Sequence, residues 1–367
     1  MPADADFAAW FRLLETPGLG RDAARRLLAA CGSPAAALAA GPATWRLLVA
    51  PAVADALGRP HDIVESRLVA AEAWLNASEH HHALTLEHPA WPALLLQTAD
   101  PPLLLYVQGD LRRLAAAGVA VVGSRHPTAQ GSDNASYFAR TLADAGWQVV
   151  SGLARGIDAA AHEGGLAGAA GTLAVVGTGL DRVYPPAHAA LAQRIAAQGA
   201  LVSEYAPGTP PLPEHFPQRN RLIAGLTRGT LVVEAALRSG SLITARLANE
   251  AGREVFAIPG SIHAPQSRGC HQLIQQGAKL VESARDIIDE LQSGPVLPGR
   301  QAELPLADPG PADALLDALG SDPVTLDALM ARTGDSAADL AARLMELELE
   351  GRVARLPGGL YQRRHAA

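Results

Sequence analysis

Seven short apolar runs, separated by helix-like stretches, constrain this chain more than any other feature. Between Gly118 and Leu291 they read VAVVG, WQVVSG, TLAVVG, ALVSE, TLVVEA, EVFAIPG and KLV. The stretches between them, such as ASYFARTLADAG and SLITARLANEAG, carry helical spacing of apolar residues. A half-exposed strand alternates apolar and polar side chains, and these runs do not alternate. Strands that are apolar throughout must be covered on both faces. That requirement points to an α/β fold, a parallel sheet with helices packed above and below it.

The flanks read differently. Residues 1–80 are expected to be helical: FAAWFRLLE is amphipathic, and TPGLGRDAARRLLAACG gives a turn, a helix and a glycine stop. PGLG before a helix has the pattern of a helix-hairpin-helix (SAM-like) unit, and a plain helical connector competes with that reading. The core is expected over 81–292. It opens with EHHHALTLEHPAWPALLLQTADPPLLLYVQGD, whose short apolar runs could be strands. The triple histidine His80–His82 invites a metal reading. Adjacent strand residues face opposite sides, however, and no carboxylate spacing supports it. A polar linker is expected there. Residues 293–310 form a Pro/Gly-rich linker. Residues 311–365 give three helices and a Gly-Gly hairpin, the pattern of a winged helix-turn-helix.

Composition narrows the classes. The chain has 367 residues, 49 % hydrophobic and 18 % charged, enough for a large core. No apolar run reaches the roughly 18 residues of a membrane span. The first residues are acidic and lack the basic-then-apolar order of a signal peptide. The two cysteines, Cys31 and Cys270, are far apart, which argues against a disulfide scaffold. A cytoplasmic location is expected. A net charge of −7 does not mark a nucleic-acid binder, so the placement of the cations must decide.

In an open parallel sheet, ligands bind outside the carboxyl ends of the strands. The residues found there are Gly123-Ser124-Arg125, then SGLARGID, GTGLDRVYPP, Ser203-Glu204, FPQRNR, EAALRSGSLITA and Pro259-Gly260-Ser261. Glycine and serine admit close approach of a backbone, helix starts aim amides outward, and arginine supplies a fork of donors. The edge is suited to phosphate oxygens. GSRHPT fails the G-x-G-x-x-G dinucleotide pattern, and GTGLDR carries Arg182 in its third glycine position; no P-loop is present. Cations spread over several loops suit a row of phosphates, hence a nucleic-acid strand. Serines 151, 203, 239 and 241 lack a nucleophile-elbow pattern. Asp158, Asp181, Glu204 and Glu234 share no metal motif. No catalytic residue, metal or cofactor is expected. Phe216 is a candidate base contact, and an apolar anchor is an equal alternative.

GSR, SGLARGID, GTGLDRVYP, FPQRNRLIAGL, VVEAALRSGSLITARLANEAGREVFAIPG and GCHQLIQQGA, in this order, resemble the DNA-processing protein A (DprA/Smf) family. The resemblance covers about residues 85–291. It implies an extended Rossmann-like core that binds single-stranded DNA, homodimerises through that core and hands the strand to RecA during natural transformation. It implies no enzyme activity. It maps phosphate-pocket positions to Gly123, Ser124, Arg125, Arg155, Arg219, Asn220 and Arg221, with Ser239, Gly240 and Ser241 close by. Many relatives carry lysine at position 155, so a fork here replaces a point charge. The competing reading is a Rossmann-like enzyme acting on a small nucleotide phosphate.

Two expectations concern details. The presumed recognition helix, Ser336–Glu350, holds Arg343 beside Asp339, Glu346, Glu348 and Glu350; an acidic helix repels the groove it would enter. Protein contact, or weak DNA contact through the wing arginines 352, 355, 363 and 364, is expected instead. In HFPQRNRLIAGL, Arg219 and Arg221 are about 200° apart on a helix and cannot share a face. Either the helix starts near Asn220 or one arginine is structural. Arg219 and Asn220 are expected nearer the DNA, and Arg221 is expected to brace the pocket through a buried acid such as Glu234.

Overall fold

The computed structural model describes residues 4–292, 313–320, 323–356 and 358–364; the expected linker at 293–310 lies outside them. Nine strands form one sheet: β1 (His81–Thr85), β2 (Leu104–Gly109), β3 (Gly118–Val122), β4 (Gln148–Ser151), β5 (Thr172–Val175), β6 (Ala200–Ser203), β7 (Gly229–Val232), β8 (Glu254–Ala257) and β9 (Lys279–Leu280). Their spatial order is β1-β2-β6-β5-β4-β3-β7-β8-β9. From β6 to β9 every pairing is parallel. The strand order runs outward from β3 through β4, β5 and β6, then returns to the other side of β3 with β7. The crevice at such a reversal is where α/β sheets bind ligands.

Strand β3 shows why the runs had to be apolar. Val119 and Val121 pack into one buried cluster, with Phe138, Leu142 and Leu231, while Ala120 and Val122 pack into another, with Val150, Leu222 and Ile223. Each face is covered by helices, so alternation would have buried polar groups without partners.

The helices of the core are α7 (Ala129–Asp144), α8 (Ile157–Ala167), α9 (Ala189–Gln198), α10 (His215–Gly225), α11 (Gly240–Glu250), α12 (Arg268–Gln275) and α13 (Ala284–Gln292). Helices α1–α6 precede the sheet: Asp4–Leu14, Arg21–Cys31, Pro34–Ala39, Gly41–Leu48, Pro51–Leu57 and Asp62–Asn76. Helices α2–α5 pack around a core of their own, with Leu27, Trp45 and Val53, and α1 and α6 join them to the sheet. Phe7, Phe11, Val64 and Leu68 share a buried cluster with Tyr106, Leu201 and Leu180 of the core.

One expectation is corrected here. A polar linker at His80–His82 is not what forms, since His81 and His82 open a strand; the apolar runs of the stretch are strands, as the sequence allowed. These strands, β1 and β2, are an antiparallel pair that extends the parallel sheet past β6. His81 stacks on Trp74 at 4.1 Å and its Nδ1 meets the Trp74 carbonyl at 2.7 Å. The two histidines open the outermost strand, where they are only half-buried, and the prolines of the stretch fall in the connection between β1 and β2.

The C-terminal residues form α14 (Ala314–Leu319), α15 (Leu326–Thr333) and α16 (Ala337–Leu349) with a small sheet of β10 (Val324–Thr325), β12 (Leu360–Arg363) and β11 (Val353–Leu356), in that spatial order. Leu316, Leu329, Leu340, Leu344 and Val353 fill its core. This is a winged helix. Arg364 pairs with Asp133 of α7, Nε to Oδ2 at 2.8 Å.

Candidate functional site

The loop after β3 is set by a half-buried carboxylate. Glu234, at the end of β7, accepts from the Thr128 amide at 3.0 Å and from its hydroxyl. The same hydroxyl caps α7, accepting from the Gly131 amide at 2.9 Å. A threonine cap of this kind contributes about 1 kcal/mol to a helix. Burial pushes the Glu234 carboxyl above its usual range, against the two Thr128 bonds. Glu234 therefore belongs to the loop, and the expected brace from Glu234 to Arg221 is not formed.

The loop after β4 is held by an acid that is more fully buried. Asp158, 8 % exposed, accepts from the amides of Gly152 and Ala154 at 3.1 and 3.3 Å. Burial raises its pKa, opposed by Arg219 and by those amides. His162 completes the support. Thr172 donates its hydroxyl to the Val149 carbonyl, so it accepts from His162 Nδ1 at 2.8 Å. His162 Nε2 then accepts from the Leu153 amide at 3.3 Å. The imidazole must be neutral to do both, and burial accordingly brings its pKa down to about 3. Gly156 sits at φ +78°, where a Cβ would come within 2.4 Å of the Ser124 carbonyl. Glycine is thus required where the two loops meet.

Helix α10 begins at His215, five residues earlier than one of the two expected alternatives, with Pro217 in its first turn. Both arginines lie inside it and both are structural. Arg219 is 4 % exposed, and its Nη1 donates to the Gly152 carbonyl at 2.6 Å and to that of Val175. Burial brings its pKa down to about 10, with Asp158 opposing and Arg125 adding. Arg219 therefore lies beneath the site rather than reaching from it. Arg221 points the other way. Its Nη2 donates to Glu204 at 2.6 Å and its Nε pairs with Asp100 at 3.1 Å. Asp100 also takes Arg21 of α2 at 2.8 Å and Arg25. Burial alone would raise the Asp100 pKa, but the bonds from Arg21 and Arg25 outweigh it and bring it to about 2. Arg221 thus ties α10 to the N-terminal helices and lines no part of the cleft.

What remains is an open cleft of about 450 Å³ at the β3/β7 reversal, lined by Gly123, Ser124, Arg125, Phe216, Asn220 and the Ser239-Gly240-Ser241 turn that opens α11, with Arg219 at its base. A neighbouring hollow of about 270 Å³ holds Arg155, Tyr184 and the other side of Phe216; Arg125 lines both. Tyr184 and Phe216 lie 5.4 Å apart, centre to centre, tilted by 38°. Arg125 and Arg155 are exposed and make no hydrogen bond or ion pair among the described residues. Arg238 also lines the cleft, exposed and equally unpaired. The serines are not poised as nucleophiles at the sheet edge: Ser151 and Ser203 are buried and donate to the carbonyls of Val121 and Thr178. Among the described residues, no group of three His, Cys, Asp or Glu is placed to hold a metal ion. No helix among them is long and apolar enough to cross a membrane.

Residues 82–292 match the family described as DNA recombination-mediator protein A, and residues 300–359 match the DprA winged helix domain. The chain belongs to the DprA/Smf family. Protein Smf of Escherichia coli (strain K12) is 43 % identical to it over 319 residues, 84 % of this chain and 83 % of that one. The DNA processing protein DprA of Streptococcus pneumoniae (strain ATCC BAA-255 / R6) is 50 % identical over 202 residues, 55 % of this chain and 71 % of that one. Among solved structures, DNA processing protein A from Streptococcus pneumoniae superposes with a TM-score of 0.63 at 38 % identity, covering 78 % of this chain and 99 % of that one. DNA processing protein A from Helicobacter pylori, solved for its single-stranded DNA binding mode, gives a TM-score of 0.53 at 33 % identity, covering 58 % and 96 %.

Within this DprA/Smf chain, two cleft residues were missed by reading the sequence. Arg238 sits inside EAALRSGSLITA, but what sets it apart is the lack of an acid beside it, which only the fold reveals. Tyr184 sits inside GTGLDRVYPP, read for its glycines; its pairing with Phe216 joins residues 32 positions apart.

Proposed function

We propose that this edge binds a single strand of DNA by its phosphates. One observation carries the reading: Arg125, Arg155 and Arg238 surround the clefts at the strand-order reversal with no acid paired to any of them among the described residues. An exposed guanidinium with no acid beside it can meet a phosphate without giving up a protein partner. Several spread over adjoining hollows match successive phosphates better than one pyrophosphate. Phe216 and Tyr184 offer a surface for a base. The relative from Helicobacter pylori, described by its single-stranded DNA binding mode, supports the reading.

The nucleotide-enzyme reading is weaker on geometry. Asp158, Glu204 and Glu234 are each committed to amides, an arginine or a threonine. A carboxylate so engaged is poorly placed to activate water. We further infer that the protein acts as a homodimer through its core and passes the strand to RecA during transformation, in the cytoplasm. That part of the reading rests on the family. Sedimentation at rising protein concentration tests the dimer. RecA filament growth on strand pre-coated with this protein tests the hand-over, and no gain over naked strand would remove it.

The binding reading itself is tested by fluorescence anisotropy with matched single- and double-stranded oligonucleotides. Single-strand preference with a steep salt dependence is expected. Equal weak binding of both forms would overturn it.

A further inference from the structure

Arg155 lines the smaller hollow, and the backbone that carries it is held in an unusual way. The three residues before it, Gly152, Leu153 and Ala154, belong to no helix or strand. Four side chains take their backbone groups instead. Asp158 accepts from the amides of Gly152 and Ala154, Arg219 donates to the Gly152 carbonyl, and His162 accepts from the Leu153 amide. The fourth is His188, whose Nδ1 donates to the Leu153 carbonyl at 2.9 Å. A carbonyl only accepts, so the proton is on that nitrogen. Leu153 sits at φ +58°, in the left-handed region that a leucine rarely adopts. It is the one non-glycine residue at positive φ among the described residues. Its side chain is buried in the cluster with Leu180, Leu191 and Ala192. A conformation so sparsely populated persists because its surroundings hold it.

Three of these four side chains stand on the helices beneath the loop, Asp158 and His162 on α8 and Arg219 on α10. His188 does not. It closes the short turn Pro186–His188, which follows Tyr184 and Pro185. Those two residues form the opposite wall of the hollow that Arg155 lines. The bond from His188 to Leu153, across 35 positions of sequence, therefore ties one wall to the other. Among the described residues it is the one hydrogen bond between 152–156 and 177–188. The hollow measures about 270 Å³, so a small shift of either wall changes what fits between them. We propose that His188 is a positioning residue for strand binding. By fixing the Leu153 carbonyl, it sets Arg155 at the distance from Tyr184 and Phe216 at which one nucleotide meets the guanidinium with its phosphate and the rings with its base. His188 lines neither cleft and acts through Arg155. This rests on the sheet edge being the strand site, and it adds what keeps the phosphate and base contacts in step. Groups that bind together gain most when the support behind them is already ordered.

The experiment measures anisotropy of a dT oligonucleotide of about 16 residues on the full chain, at a temperature where thermal melting shows every variant folded. His188→Ala removes the donor and should weaken binding by about two- to tenfold, the range for one lost hydrogen bond. His188→Asn places an amide N–H near the position of Nδ1–H and should restore most of that loss. Two double variants then separate positioning from a general loosening. His188→Ala combined with Arg155→Ala should bind no worse than Arg155→Ala alone, because the residue that His188 acts through is already gone. His188→Ala combined with Arg238→Ala, which alters the first cleft, should show the product of the two single losses.

A His188→Ala variant that binds like the wild type would overturn the proposal while leaving the strand site intact. So would a His188→Asn variant as weak as His188→Ala, since the lost hydrogen bond would then not be the cause. A loss that multiplies in full with that of Arg155→Ala would also overturn it, because His188 would then act independently of Arg155. Failure of the wild type to bind any single strand would instead remove the strand-binding reading, and this proposal with it.

Discussion

Arg125, Arg155 and Arg238 stand around the sheet edge without a paired acid, whereas Arg343, Arg352, Arg363 and Arg364 of the winged helix each touch a carboxylate and Arg355 of the wing lies 6.0 Å over the Tyr361 ring. Arg343 meets Asp313 and Glu346, Arg352 meets Glu350, Arg363 meets Asp317 and Arg364 meets Asp133. By count, the winged helix has the more arginines. By availability, the sheet edge does. An arginine already held by an acid must exchange one partner for another to bind a phosphate, so the gain is small. An unpaired one gains a new partner outright. The net charge of −7 hides this difference, because it adds the two kinds together.

A third kind of arginine sharpens the contrast. Arg219 lies under the same edge but is buried, and its loss should have the largest effect in the molecule. Arg219→Ala leaves the Asp158 carboxylate, the Gly152 carbonyl and the Val175 carbonyl without their cation. Removing one partner of a buried ionic cluster costs about 3–5 kcal/mol. Urea unfolding should show that loss, with strand binding falling only as the protein unfolds. A variant as stable as the wild type but unable to bind DNA would place Arg219 among the contacts instead.

Arg125→Ala and Arg155→Ala should behave in the opposite way. Each removes an exposed group, so the unfolding midpoint should stay put. Each should weaken single-strand binding by about 1.5–3 kcal/mol, the range for a hydrogen bond to a charged group. The slope of log affinity against log salt should fall by about one per arginine. If affinity and slope hold steady, the edge is not where the phosphates lie.

These predictions separate residues that the sequence alone ran together. The sheet was legible because buried parallel strands leave continuous apolar runs, and β3 to β9 all follow from them. The pair β1 and β2 was legible only as short apolar runs that could be strands, because the histidines that open β1 and the prolines between the two strands read as a polar linker. Arg125, Arg155 and the 239–241 turn could be placed from the rule that ligands meet the carboxyl ends of strands. The roles within FPQRNR could not. Helical geometry showed that Arg219 and Arg221 point apart, but not that each finds a structural partner. The partners of Arg221 are Glu204 and Asp100, which approach from a different strand end and from a loop before β2. No local pattern announces such a meeting, and none announces an arginine left without one, as Arg238 is.

The support beneath the edge predicts a pH effect. His162 is held neutral, with a pKa of about 3 against an ordinary value near 6.5. Between those values the unfolded chain binds a proton that the folded one refuses. This contribution is therefore complete above about pH 6.5 and declines as pH falls toward about 3. At pH 5 the loss should be about 1–2 kcal/mol. His162→Gln should be less stable at pH 7 yet lose less between pH 7 and pH 5 than the wild type. Equal losses in both proteins would mean that His162 does not control the loop.

The smallest effect is expected where the arginines are already engaged, and it is the one that can break the comparison. The combined variant Arg352→Gln, Arg363→Gln and Arg364→Gln removes three cations from the winged helix, against one in Arg125→Ala. A count of charges predicts the larger loss for the combined variant. Availability predicts the reverse, because each removed cation leaves behind an acid that had cancelled it. Exposed pairs of this kind are worth only about 0–1 kcal/mol each. Single-strand affinity should therefore change by no more than about twofold, well inside the range of a single weak pair. The salt slope should stay at the wild-type value, since no counterion-releasing contact has been lost. A fall in slope of about three, one for each arginine, would show that the wing gives up its acids to meet DNA, and the two surfaces would then have to be read as one.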